Sequence, residues 1–123
     1  MTMRALSAIT AAVLICAGCA TSRDTPATGS SAPSPALTID VTIKSGVVTP
    51  SNATLHARVS EPIVIRVDSD TADELHVHST PDHSFEIEPK SGQTFQFSVT
   101  VPGKVDVELH KLKKTIATIS VQP

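Results

Sequence analysis

The sequence contains no tryptophan and no tyrosine, and its aromatic rings are limited to Phe85, Phe95 and Phe97. So few rings cannot make a base-stacking platform, and no run of Lys and Arg supplies phosphate contacts. Nucleic acid is therefore excluded as a partner. The same lack of basic stretches excludes electrostatic attachment to anionic lipid. Cysteine is confined to Cys16 and Cys19, and methionine to Met1 and Met3. Everything after residue 19 thus lacks thiols and thioethers, which rules out an internal disulfide or a thiolate nucleophile there. With aromatics scarce, a core must come from Val, Ile and Leu, which favours strands. A chain of 123 residues with a formal charge of −2 has room for one domain.

What is present begins with an export signal. Residues 1–4 carry one positive charge at Arg4, residues 5–15 form an uncharged apolar run, and Cys16-Ala17-Gly18-Cys19 closes it with small residues. That order matches a secretory signal peptide. The run is shorter than the ~20 residues a spanning helix takes. A signal cut elsewhere and a short membrane anchor are the other readings of these residues alone. The Ala17-Gly18-Cys19 ending resembles a bacterial lipobox, with Cys16 standing where Leu is usual. The resemblance implies removal of residues 1–18, acylation of Cys19 with a palmitate-type lipid, and residence on the extracytoplasmic face of the cell membrane. Removal of that segment takes Arg4 and no acid, leaving nine basic against twelve acidic residues.

Residues 20–36 read ATSRDTPATGSSAPSPA, with no large apolar side chain. Such a segment cannot bury enough surface to offset its ordering entropy, so residues 19–36 are expected to be the lipidated cysteine and a disordered tether. From residue 37 strict alternation begins: Leu37, Ile39, Val41 and Ile43 against Thr38, Asp40, Thr42 and Lys44. Period two predicts a half-buried strand. Similar patterns predict strands at 55–59, 63–67, 75–77, 85–87, 95–101, 105–109 and 116–121. That makes about eight strands, with Pro102-Gly103 stopping the longer one at 95–101. Residues 37–123 are thus expected to form one all-β sandwich, with no helical period.

The string Asp73-Glu74-Leu75-His76-Val77-His78, supported by Val101-Pro102-Gly103 and the alternating residues after it, resembles the cupredoxin-like domain of actinobacterial lipoproteins. The resemblance implies a Greek-key β-sandwich of 7–8 strands over about residues 38–122. An immunoglobulin-like sandwich is the alternative. Cupredoxins proper carry copper for electron transfer, bound by two His, a Cys thiolate and a weak axial ligand. The strand-end position that the resemblance gives to the Cys falls at or near Leu109. No Cys or Met follows, so a blue-copper site is not expected.

The histidines are the remaining candidates. His76, His78 and His83 lie near one turn, and His110 follows the Gly103 strand. His76 and His78 share a strand face, opposite Leu75 and Val77. Such a pair with His83, His110 or a nearby carboxylate has donors suited to Cu(II) or Zn(II), although exposed strand histidines are also ordinary surface residues. No nucleophile elbow, phosphate loop or paired-carboxylate motif stands out, so no enzyme is expected. Two functions follow: an envelope adaptor or binding module with a protein, lipid or glycan partner, or a metal-handling accessory protein.

Overall fold

The computed structural model describes residues 37–123; the signal peptide, Cys19 and the tether lie outside the described residues. Nine strands are present: β1 Leu37–Lys44, β2 Val47–Thr49, β3 Ala53–Arg58, β4 Ile63–Ser69, β5 Asp73–Val77, β6 His83–Ile87, β7 Gln93–Phe97, β8 Gly103–Leu109 and β9 Lys114–Gln122. There is no helix among the described residues, and so none long and apolar enough to cross a membrane.

The strands form a four-stranded sheet in the order β2-β1-β4-β7 and a five-stranded sheet in the order β3-β9-β8-β5-β6. Each sheet contains one parallel pair, β1 with β4 and β3 with β9; the other pairs are antiparallel. These pairings separate the fold from the immunoglobulin-like alternative, whose sheets are antiparallel. The alternation of β1 sends Ile39, Val41 and Ile43 inward, beside Ile63, Ile65 and Val67 of β4. Leu75, Val77, Val105, Val107, Leu109, Ile119 and Val121 meet them from the other sheet in one core. Each such side chain contributes about 1.5–3 kcal/mol by leaving water.

Two elements differ from the sequence expectation. The additional strand, β2, is three residues long and buries only Val48, too short for a period to show. Ser45 and Gly46, at φ 50° and 76°, make the two-residue hairpin that returns it onto β1. The strand expected over 95–101 ends at Phe97. Val99 is fully buried without joining a ladder, and Val101 is 49% exposed. Between them the backbone leaves the four-stranded sheet. The carbonyl of Val99 accepts from Ser60 N–H at 2.8 Å, and Thr100 N–H donates to the Thr80 carbonyl at 3.2 Å. Apolar alternation thus continues through the crossover although strand pairing does not.

Candidate functional site on the five-stranded sheet

β5 runs between β8 and β6. Successive side chains of a strand point to opposite faces. Leu75 and Val77 therefore enter the core, while Glu74 and His76 face outward, partly exposed. On β8, Lys104, Asp106 and Glu108 face outward, and on β6, Ser84 and Glu86 do. Register places His76 directly between Glu108 and Ser84. His78 lies one residue past β5, yet its N–H donates to the Asp106 carbonyl at 2.9 Å, so the backbone stays on the ladder. The rings of His76 and His78 meet with centroids 4.1 Å apart and planes inclined at 49°.

Each ring has its own carboxylate. Nε2 of His76 lies 3.0 and 2.9 Å from the two oxygens of Asp82, in the turn before β6. Nε2 of His78 lies 3.0 Å from Oε2 of Glu108. A carboxylate only accepts, so Nε2 donates in both contacts, and in the neutral ring the lone pair stands on Nδ1. The register shift between Val107 and Glu108 is a bulge, a device that re-aims side chains. The Glu108 carboxylate also accepts from the Thr115 hydroxyl at 3.3 Å. The hydrogen bond from His76 holds the Asp82 carboxyl below its ordinary value against an opposing desolvation, with the fields of His76, His78 and His83 adding to the lowering.

The other two candidate histidines stand elsewhere. His83 pairs with Val77 and faces inward. Its ring stacks with Phe85 at 6.1 Å and tilts against Phe97 at 5.4 Å, and its Nε2 donates to the Ser98 carbonyl at 3.3 Å. His110 is exposed at the start of the β8–β9 turn, its N–H bonded to the Glu74 carbonyl at 2.9 Å. The structure thus brings His76 and His78 together with Asp82 and Glu108, and places His83 behind the sheet and His110 along it. Among the described residues, no three His, Cys, Asp or Glu side chains are arranged to hold a metal ion. Asp82 was not legible as a site residue, because reaching His76 depends on how the turn folds back.

At the end of the sheet where β5 begins, Asp73 is 2% exposed. Its carboxylate accepts from the backbone N–H groups of Glu74 at 2.7 Å, Lys111 at 2.7 Å and Leu112 at 3.0 Å. This side chain fastens the β8–β9 turn to β5, together with the His110 N–H bonded to the Glu74 carbonyl. Beside it, Leu109 ends β8, opposite Leu75 and 1% exposed.

No protein-family model matches the sequence, and no curated protein matches it. Solved structures do match by shape. A dithionite-reduced auracyanin from the photosynthetic bacterium Roseiflexus castenholzii superposes with a TM-score of 0.52 at 8% identity, over 73% of this chain and 100% of that one. Auracyanin B gives 0.50 at 12% identity, over 76% and 94%. The domain has the cupredoxin fold. An amicyanin variant with Cu(I) also matches, with a TM-score of 0.47 at 16% identity, over 69% and 82%. The cupredoxin fold implies copper, and the donor chemistry here tests that implication. A blue-copper centre requires a thiolate with two imidazoles, usually completed by a weak axial thioether. The strand end of β8 offers the hydrocarbon of Leu109, and residues 37–123 contain no Cys and no Met. The donor set does not fit a blue-copper ion.

Proposed function

We propose that the chain is a lipid-anchored envelope adaptor whose cupredoxin-fold domain binds a cationic ligand on the outer face of β6, β5 and β8. The observation that carries this reading is the charge on that face. Glu74, Asp82, Glu86, Asp106 and Glu108 surround His76 and His78, and Glu74 stands directly opposite Glu86. Like charges opposite each other in a sheet destabilise it. Among the described residues no Lys or Arg forms an ion pair with any of these carboxylates. A face that carries more acids than the one cation of Lys104, at a cost to its own pairing, suits a ligand that brings positive charge.

The anchor in this reading is a diacylglyceryl thioether on Cys19, since one acyl chain alone holds a protein only marginally. The domain sits outside the cytoplasmic membrane on the tether of residues 20–36. Cys19→Ala is expected to leave unprocessed precursor or to release the protein from membranes; normal processing with membrane retention removes the anchor from the account. The binding face is tested with the full chain in detergent and a lysine-rich peptide as probe. Glu74→Gln/Glu86→Gln/Glu108→Gln is expected to weaken binding at least ~10-fold. Asp40→Asn/Asp68→Asn, on the other sheet, is expected to leave it within about twofold. Equal losses in both variants would mean bulk charge rather than this face, and would overturn the reading.

A further inference from the structure

We propose that His76 and His78 form an open two-imidazole site for a divalent transition metal, Cu(II) in preference to Zn(II), with Asp82 and Glu108 orienting the rings. The inference rests on the acidic face as the binding surface and names one cation for it. A histidine that ligates a metal almost always gives its other ring N–H to a carboxylate or carbonyl, which fixes the tautomer and the ring plane. Both rings already have that partner. Nε2 of His76 is committed to Asp82 at 2.9 Å and Nε2 of His78 to Glu108 at 3.0 Å. Nδ1 of each neutral ring is left as the donor atom.

The rings are close enough to share one ion. Residues i and i+2 of a strand are about 6.5–7 Å apart along the backbone, yet these ring centroids lie 4.1 Å apart. An ion about 2.0 Å from each nitrogen lies about 3.2 Å from each ring centre. Ligation at a right angle then separates the centres by about 4.5 Å, and tetrahedral ligation by about 5.2 Å. The observed separation is below both values, so the rings part on ligation; the preference for Cu(II) over Zn(II) follows from the general affinity order of divalent metals at nitrogen donors. Both rings are partly solvent-exposed, with 27% of the His76 side chain and 49% of the His78 side chain accessible. Two protein ligands leave the remaining positions to water or to a donor from a partner. Among the described residues no third His, Cys, Asp or Glu completes the ligand set. The site lies on the outer sheet face, opposite to the face on which the neighbouring Leu109 is buried.

The test is calorimetric titration of the full chain, purified in detergent without a polyhistidine tag, with Cu(II) alone and with Zn(II) alone. One equivalent of Cu(II) is expected to bind, more tightly than Zn(II), with two nitrogen couplings in the electron paramagnetic resonance spectrum. His76→Ala and His78→Ala are each expected to weaken Cu(II) binding at least 100-fold. Asp82→Asn and Glu108→Gln are expected to weaken it about 10- to 100-fold, as supporting partners of ligating histidines do. These two exposed substitutions do not touch the core, so they test the site even where a histidine variant fails to fold. His83→Ala and His110→Ala are expected to change nothing. Absence of Cu(II) binding, or binding indifferent to His76 and His78, overturns the inference. If the lysine-rich peptide still binds in a face-dependent way, the cationic-ligand reading stands without it; if peptide binding is also independent of the face, both fall.

Discussion

Asp73 shows what a single buried side chain does here. Its carboxylate accepts three backbone N–H groups, two of them from the β8–β9 turn. Removing it strands donors that water cannot easily reach. Asp73→Ala is expected to lower unfolding free energy by about 3 kcal/mol, read as a lower urea midpoint with an unchanged denaturant slope. Asp73→Asn, which keeps one accepting oxygen, is expected to lose less. Asp82 is the opposite case, exposed and held by His76. Its folded-state carboxyl value is depressed below 3.8. A depressed carboxyl value contributes stability above its unfolded value and loses it as pH falls through the lower folded value. Full exposure keeps that contribution small, so the titration itself is the better readout. Carbon-detected NMR is expected to place the Asp82 midpoint below the ordinary carboxylate value, and His76→Ala to move it upward. A midpoint unmoved by His76→Ala would mean the contact does not persist in solution.

At the scale of elements, β5, β6 and β8 carry both the core and the face. Leu75 pairs with Leu109 and Phe85 on the inner side, while the neighbouring outer positions set Glu74 against Glu86. Glu86→Lys turns that repulsive cross-strand pair into an attractive one. It is expected to stabilise the domain by about 0.5 kcal/mol, measured by thermal or urea unfolding, while weakening binding of the lysine-rich probe. Much of this architecture is legible in the sequence, because a half-buried strand repeats every two residues and β1, β5 and β8 keep that repeat. What is not legible is non-local. β2 is defined by the hairpin return of Val47 onto Lys44 rather than by a pattern. Val99 and Val101 prolong the alternation of β7 after its partner β4 has ended. The pairing of His76 with Glu108 depends on the register of two strands distant in the chain, and the contact of His76 with Asp82 on the path of a turn. The face of His83 did depend on its strand: as the register partner of Val77 it points inward, a consequence of where β6 begins.

At the scale of the whole molecule, the described residues have the cupredoxin fold without a Cys or Met to complete a blue-copper donor set, and the chemistry-bearing groups stand on a sheet face. The proposed binding role lies on one side of one sheet, and the proposed lipidation at Cys19 would hold the domain outside the membrane. The central claim is the location of the binding face. Titrating the lysine-rich peptide into isotope-labelled full chain in detergent, with amide chemical shifts followed residue by residue, addresses it directly. The expected result is a patch of shifts at Glu74, His76, His78, Ser84, Glu86, Asp106 and Glu108, with little change on the outer positions of β1 and β4. Shifts concentrated instead on Thr38, Asp40, Val64 and Arg66, or spread evenly over both sheets, would contradict the account.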